Sequence, residues 1–461
     1  MIKITIIHSL ILFSLISCKM QQKTVSNINP RLLITTDIGG DPDDQQSLVR
    51  LLLYANEFDI EGLIASTIDN PQNRELYTQI VRSFLIKEKI DAYAKVFENL
   101  KQHSADFPVP EKLYQMVKSG SPYRGVEFIG EGHDTEASDW IVQQIKKDDP
   151  RPLNIAIWGG QTDVLQALWR IKKEYSDEKY KQIISNIRIY DIDDQDGIFD
   201  YIKSDFPDVF YLLNKAPKGK NRLEAAFRGM YLEGNMDITS KEWIYENIKT
   251  NHGPLGALYP DRTWTSPNPH RCMKEGDTPS WYYFLKNGLQ DPEHPEFGGW
   301  GGRFKNDHKN YYVDTVDEVD TVKSARATVW RWREVFQNDF AARMDWCVRS
   351  FEEANHHPTA IVNNNSSKEV IKIKTKAGNP VILDAGKSKD IDGDKLSFFW
   401  WVYPEPSGLN DLPKIENNTS EKAKIMLTEN LSGKEIHVVL GVTDNGQPAL
   451  TSYRRVILKV E

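Results

Sequence analysis

The sequence predicts an α/β domain, a parallel sheet with helices on both faces, followed by an all-β Ig-like sandwich. Three observations carry this expectation. Short apolar runs (Arg31–Thr36, Ile60–Ser66, Leu153–Trp158, Ile187–Tyr190) alternate with amphipathic helical stretches, as strands buried on both faces do. After His357-Pro358 the apolar period falls to two, in Ile371–Thr375 and Ser452–Val460, the period of a half-buried strand. The length of 461 residues accommodates two or three domains with cores of their own.

The N-terminus has a plan of its own. Lys3 precedes an apolar run from Ile4 to Ile16, broken by Thr5, His8, Ser9 and Ser14 and ending in Ser17-Cys18. It is too short to span a bilayer comfortably and has the proportions of a secretory signal. A small residue before Cys18 looks like a bacterial lipobox. The expectation is a lipoprotein signal over residues 1–18, a lipid on Cys18 and a polar tether over 19–30. The mature chain is then exported and held on the bacterial envelope, at the outer membrane, touching membrane through that lipid alone.

Residues 31–356 form the α/β domain. A helix that carries Leu48, Leu51, Leu52 and Leu53 is predicted to end near Asn56, and further helices are predicted over 73–88, over Ala137–Ile145 and over Thr162–Tyr175. Residues 215–315, rich in Trp, Gly and Pro, read as cleft walls. Thr321–Glu353 reads as one long helix with Val329, Trp332, Val335 and Phe336 on one face. Residues 357–461 form the sandwich, with further strands at Val381–Asp384 and Ile436–Val442. Its run Asp390-Ile-Asp-Gly-Asp394 lies in a phrase resembling the opening of polycystic-kidney-disease-type and cadherin-like modules. That run fits a calcium loop of hard oxygens or a plain Asp/Gly turn.

A formal net charge of -8 and the lack of a basic stripe argue against nucleic acid as a partner. The 12 Trp and 19 Tyr fit sugar-stacking surfaces or a large aromatic core. Beyond Cys18, Cys272 and Cys347 are compatible with a disulfide or with buried thiols, and neither has zinc-type spacing.

The chemistry concentrates where the first strand ends. Thr36-Asp37-Ile-Gly-Gly-Asp41-Pro-Asp43-Asp44 puts four carboxylates into eight positions. Like charges this close raise one another's pKa, and a cation removes the conflict. All-oxygen ligation points to calcium or magnesium, and a flexible carboxylate and carbonyl site favours calcium. In open α/β sheets the loops after the strands converge on one rim, so Gly159-Gly160 and Asp191–Asp196 belong beside the cluster.

The turn is similar to the Asp-x-Asp-Pro-Gly-x-Asp-Asp signature of nucleoside hydrolases. Trp158-Gly-Gly-Gln-Thr-Asp-Val-Leu165 looks like that family's Gly-Pro-Leu-Thr-Asn turn, and Lys274-Glu-Gly-Asp-Thr-Pro279 sits where its late calcium ligand lies. With Asp291–Arg303 and the sandwich, the chain most resembles the cellulose-binding branch of the nucleoside-hydrolase-like proteins. The resemblance implies calcium held by Asp37, Asp44, the Thr162 carbonyl and Asp277, with Asp37 as base. It implies hydrolysis of a glycosidic or N-glycosidic bond during polysaccharide degradation, the alternative being a non-catalytic carbohydrate-binding protein.

The chain also departs from the family. Five residues separate Asp37 from Asp43 rather than three, so Asp41 and Asp43 compete for a ligand or sugar-hydroxyl role. Asp193–Asp196 replaces a Glu-Phe-Asn motif, and Asn70 stands near the family's Gly-Asn turn. Substrate contacts are therefore expected from Asp41, Asp43, Asn70, Asp194 and Asp196, with Trp300 stacking a sugar and Arg303 binding a hydroxyl or carboxylate. His252, His270 and Glu275 are the candidates to protonate a leaving group.

Overall fold

The computed structural model describes residues 29–68, 80–263 and 269–461. Cys18, most of the tether, Asn70 and the first part of the 73–88 segment lie outside the described residues. None of the described helices is long and apolar enough to cross a membrane.

The first domain is built on a sheet that has eight strands among the described residues. In chain order these are β1 (Arg31–Thr36), β2 (Asp59–Ala65), β3 (Val117–Ser119), β4 (Leu153–Trp158), β5 (Ile187–Ile192), β6 (Phe210–Asn214), β7 (Phe304–His308) and β8 (Tyr311–Asp314). The spatial order is β3-β2-β1-β4-β5-β6-β8-β7. All neighbours run parallel except β7 on β8. The chain leaves β1 toward β2 on one side and returns to β4 on the other. The switch point of the sheet therefore lies between β1 and β4, where such folds bind ligands. Thr36 is level with Ala65 and with Trp158, so the loops after β1, β2 and β4 leave the sheet at one height.

Alternation along β1 explains the double-sided core. Leu32 and Ile34 enter one buried cluster, with the helix Asp43–Leu53 and Trp281, Phe336 and Phe340. Leu33 enters the other, with Ile155, Ile157 and the helices Glu136–Lys146 and Gln161–Glu174.

Two helix expectations need correction. The second described helix spans Ser83–Ala94, because the buried positions Ile86, Ile90 and Tyr93 continue the helical spacing past residue 88. Thr321–Glu353 is not one helix. It opens with a hairpin of β9 (Asp317–Val319) and β10 (Val322–Ser324), followed by helices Ala327–Trp330 and Arg333–Asp345. Asp320 and Thr321 take left-handed φ values of 49° and 70° to close the hairpin. The break before Arg333 is fixed by its buried guanidinium, which donates to the carbonyls of Gly229, Leu232, Glu233 and Asn235.

The second domain pairs a four-stranded sheet with a three-stranded one among the described residues. The first contains β11 (Ile371–Thr375), β13 (Ser397–Val402), β16 (Glu435–Thr443) and β17 (Thr451–Val460). The second contains β12 (Val381–Asp384), β14 (Ile415–Glu416) and β15 (Lys422–Ile425). Trp400, Val438, Leu440 and Leu458 fill the space between them.

The domains share a packed seam of aromatic rings and hydrogen-bonded charges. Trp332 packs edge-on against Tyr403 and Tyr453 at ring separations of 5.9 and 5.7 Å. Asp317 accepts from Arg303 at 2.6 Å and from the Tyr403 hydroxyl at 2.5 Å. Buried Arg455 of β17 donates to the Leu289 and Gly298 carbonyls. Trp332→Ala should cost roughly 3–5 kcal/mol of unfolding free energy, measured by urea titration. A loss under about 1 kcal/mol would mean that the seam contributes little.

Candidate functional site at the acidic rim

The β1 strand ends at Thr36, whose hydroxyl donates to Asp44, the second residue of the Asp43–Leu53 helix. Between them the chain turns tightly, with Gly39 at φ 104°. Asp37 then lies against the β4 loop. A Cβ on Gly159 (φ 140°) would meet the Asp37 carboxyl carbon at 2.9 Å, so only glycine allows that approach.

Asp277 reaches the same place from 240 positions further along the chain. Arg50 and Glu275, both fully buried, form an ion pair at 2.5 Å. Gln46 accepts from the Lys274 backbone N–H at 2.9 Å and donates to the Cys272 carbonyl at 2.8 Å. Trp158, at the end of β4, donates to the Ser280 hydroxyl at 2.7 Å, which donates to the Asp277 carbonyl at 2.6 Å. Together these contacts pin the 272–280 turn against the Asp43–Leu53 helix.

As a result Asp43, Asp44 and Asp277 each offer a carboxylate oxygen within 4.8 Å of one another. They are 9%, 4% and 3% exposed. Asp277 Oδ2 is buried and has no hydrogen-bond partner among the described residues. Burial is the main cause that pushes the Asp44 and Asp277 carboxyls well above the ordinary carboxylate range, and the neighbouring aspartates add to it. Asp43 and Asp37 are raised as well. Burial leads in both, against the opposing pull of Lys274 on Asp43 and of Arg124 on Asp37.

Among the described residues Lys274 and Arg124 meet this charge. Lys274 lies 2.6 Å from Asp41 and 3.0 Å from Asp43. The Arg124 guanidinium donates to Asp37 and to the Thr67 carbonyl, and sits 3.4 Å from Asp196. Against these two stand Asp37, Asp41, Asp43, Asp44, Asp196 and Asp277. A divalent cation fits the donor set. Three buried oxygens converge, one oxygen of Asp277 has nothing else to bind, and hard carboxylates suit calcium or magnesium.

The arrangement reshapes the expected ligand set. Asp44 and Asp277 come together, with Asp43 rather than Asp37 as the third member. Asp37 faces Arg124, and Asp41 faces Lys274. Thr162 stands at the rim, but its N–H and hydroxyl both donate to Asp196, at 2.8 and 2.7 Å. Its carbonyl lies in the first turn of the Gln161–Glu174 helix and so points down the helix, away from the trio. Asp196 joins the rim through Arg124. Asp194 lies behind it, accepting from the Ile198 and Phe199 N–H groups and pairing with Lys215 at 2.9 Å.

Five further expectations are corrected. Glu275 is the partner of Arg50, Tyr259 and Thr278. Fully buried beneath the rim, it cannot protonate a leaving group. His252 pairs with Asp345 at 3.1 Å and His270 lies 3.5 Å from Asp237; among the described residues the converging trio is Asp43, Asp44 and Asp277, without either histidine. Trp300 is 2% exposed, packed against Tyr282 and Phe336, and lines an interdomain cavity of about 250 Å³ with Asp339, Arg343 and His357. Arg303 is committed to Asp317 at the domain seam. Cys272 and Cys347 are free, buried thiols.

Sequence reasoning missed Arg124 and Asp163. Asp163 accepts from the Ser121 N–H at 2.9 Å and the Thr135 hydroxyl at 2.8 Å, which anchors the loop that carries Arg124. Burial pushes the Asp163 carboxyl up to about 6. The loop has no periodicity to betray it. Lys274 opened the Lys274–Pro279 segment singled out for Asp277, but nothing in the sequence assigned it a role of its own.

Fold and rim together define a nucleoside-hydrolase-like α/β protein with a cluster of buried carboxylates at its switch point. The family description "cellulose-binding Sde182, nucleoside hydrolase-like domain" matches residues 31–304, and its companion for the Sde0182 C-terminal domain matches 380–460. The chain belongs to this Sde182 family. It is similar to a solved nucleoside hydrolase-related protein from Saccharophagus degradans that is associated with carbohydrate metabolism. The two share 33% identity over 94% of this chain and 100% of that one, with a TM-score of 0.77. A PKD domain from the KIAA 1837 protein aligns over 20% of this chain and 81% of its own at 22% identity, but its TM-score of 0.16 is too low to carry an argument. No curated protein matches the chain.

Glu275→Ala leaves Arg50 buried and uncompensated, so it should cost roughly 3–5 kcal/mol. Denaturant titration measures the loss, and a near-neutral result would remove the ion pair as the anchor of the 272–280 turn.

Proposed function

We propose that this protein is a calcium-dependent hydrolase of glycosidic or N-glycosidic bonds that acts on carbohydrate during polysaccharide degradation. The observation that carries the reading is the buried trio Asp43, Asp44 and Asp277 at the switch point, with one Asp277 oxygen unpartnered. Membership of a family described as cellulose-binding supports carbohydrate as the partner. A lipid on Cys18 would hold the protein at the bacterial surface, where polysaccharide is met.

Asp43, Asp44 and Asp277 would hold the cation. When bound, calcium supplies a Lewis acid that orients water and sugar hydroxyls. The remaining work falls to the chain. Asp37 is the base that takes the proton of the attacking water. Burial raises its proton affinity, and Arg124 opposes that rise while fixing the carboxylate's orientation. The outcome is a net upward shift, the direction a base working near neutral pH needs. Asp41 and Lys274 form an ion pair at the edge of the trio, where they are positioned to meet sugar hydroxyls. As the water's oxygen bonds to the anomeric carbon, the glycosidic or N-glycosidic bond breaks with its electron pair on the departing oxygen or nitrogen, which takes its proton from solvent; oxocarbenium-like charge builds at the anomeric carbon, and the surplus of carboxylates at the rim stabilises that charge.

A second reading, a non-catalytic carbohydrate-binding protein, is favoured by the same Arg124 contact. An ion-paired Asp37 is a weaker base, and His252, His270 and Glu275 supply no acid at the rim. An activity screen on glycans and nucleosides, with and without chelator, separates the two. The hydrolase reading expects sugar or base release that chelator abolishes and that Asp37→Asn lowers by about 10²-fold or more. Polysaccharide binding without release from any substrate would establish the second reading in its place.

The raised carboxyls also set a pH dependence. A carboxyl whose folded pKa lies above its unfolded value of about 4 keeps its proton longer in the folded state. Its contribution is therefore present at low pH and is lost as pH rises through the folded value. With chelator present, the rim's contribution, read as the thermal stability of the parent minus that of Asp44→Asn/Asp277→Asn, should fall as pH rises from about 4 toward neutrality, and added calcium should restore it. A difference that grows over this range in chelator would contradict the charge balance described for the rim.

A further inference from the structure

We propose that the interdomain cavity binds a small carboxylate, of the kind an acidic sugar carries, and that this ligand bridges the two domains. None of the rim aspartates lines the cavity, so the site does not depend on what the rim does. Its volume is about 250 Å³. That is below the roughly 300–1,000 Å³ that hold drug-sized ligands, and it limits the occupant to about one sugar ring. The wall comes from both domains: Glu57, Asp339 and Arg343 from the first, Lys368, Tyr453 and Arg454 from the second.

Arg454 is the residue that asks for a ligand. It is 1% exposed. Its Nη groups donate to the backbone and side-chain oxygens of Asn365, each at 3.2 Å, and to the Glu369 carbonyl at 3.1 Å. All three acceptors are neutral. Its Nε is buried and has no hydrogen-bond partner among the described residues. Burial lowers the guanidinium to about 10, with the Glu369 charge opposing the fall, so Arg454 is still charged at neutral pH. Asn287 lines the same cavity and holds a second unused donor. Its Oδ1 accepts from the Leu289 N–H at 3.1 Å, whereas its Nδ2 is buried without a partner among the described residues. The next residue, Gly288, ties this loop to β17, its carbonyl accepting from the Arg455 N–H at 2.9 Å.

The carboxylates of the wall are already taken. Glu57 is shared by Arg343 at 2.9 Å and Lys368 at 3.5 Å. Asp339 is shared by Arg343 at 2.8 Å and His357 at 3.0 Å. Burial pushes both carboxyls up, and these cations overrule it. Lys368 and Arg343 hold Glu57 at about 2, and His357 and Arg343 hold Asp339 below the ordinary carboxylate range. With Lys286, four cationic side chains (Lys286, Arg343, Lys368 and Arg454) line the cavity against two carboxylates. Lys286 has Glu369 at 3.3 Å, but that carboxylate is exposed and water screens the pair. The charge left over is that of Arg454.

A buried guanidinium without a counter-charge is costly. In a medium of low dielectric its field acts on an anion anywhere in a cavity this small. One surplus positive charge favours a monoanionic carboxylate over phosphate. The rest of the wall suits a sugar. The rings of Trp346 and Tyr453 offer an apolar face to its carbons, and the hydroxyls of Ser366 and Ser452 can donate to or accept from its hydroxyls. Ser366 and Lys368 are exposed, so the ligand enters on the side of the second domain.

The test is calorimetric titration of the full chain with D-glucuronate, D-glucose and inorganic phosphate. Glucuronate should bind, and glucose and phosphate should bind about tenfold or more weaker. Arg454→Gln should weaken glucuronate about tenfold or more. Lys286→Gln/Lys368→Gln, changed nearer the solvent, should weaken it about threefold. Circular dichroism checks the fold of each variant, and the lysine pair decides if Arg454→Gln does not fold. Asp44→Asn/Asp277→Asn should bind glucuronate as the parent does, whether or not the rim holds calcium. A parent that binds no glucuronate would overturn the proposal, as would affinity unchanged in the lysine variant or lost in Asp44→Asn/Asp277→Asn. Glucose or phosphate bound as tightly as glucuronate would overturn the choice of a carboxylate.

Discussion

Arg50 and Glu275 stand 225 positions apart in the chain and meet at 0% exposure. Neither charge is tolerable alone at that depth, because the loss of hydration exceeds any gain short of a direct, hydrogen-bonded partner. The Asp43–Leu53 helix and the 272–280 turn are therefore bound to one another. That bond, assisted by Gln46 and by the Trp158–Ser280 link, delivers Asp277 to Asp43 and Asp44. The candidate centre is thus a consequence of a structural ion pair one layer below it.

The rim trades stability for charge density. Among the described residues six aspartates face Lys274 and Arg124, and burial drives the Asp37, Asp43, Asp44 and Asp277 carboxyls toward their protonated forms. Such an arrangement is costly in a fold that only had to be stable, and at the switch point of an α/β sheet it fits a place where ligands arrive. Arg124 and Lys274 temper the charge without cancelling it. Asp163 matters at one remove, since it shapes the 120–124 loop and so sets where the guanidinium can lie.

The second domain is more than an appendage. Its β17 strand and Tyr403 are built into the same apolar cluster as the Asp43–Leu53 helix. Arg455 is buried against carbonyls of the first domain, which accept from its guanidinium. This tight seam is also where Trp300 and Arg303 are used. Residues that looked like a sugar platform are instead the wall of the interdomain joint.

The sequence by itself determined what local periodicity and turn chemistry determine. Unbroken apolar runs marked β1, β2, β4 and β5, and period-two alternation marked β11 and β17. Asp37–Asp44 was legible as a crowded loop after a buried strand, and the Thr162 and Asp277 segments were legible by resemblance. Only the tertiary structure decided which acids share an oxygen shell. A helix carbonyl points along its axis, which removes Thr162 from the trio, and an arginine from an aperiodic loop occupies the face of Asp37. It also decided that Thr321–Glu353 breaks, since Arg333 takes its donors to carbonyls a hundred positions away. Partner choice across such distances depends on which buried charges find each other, and no spacing within a single stretch of chain encodes that.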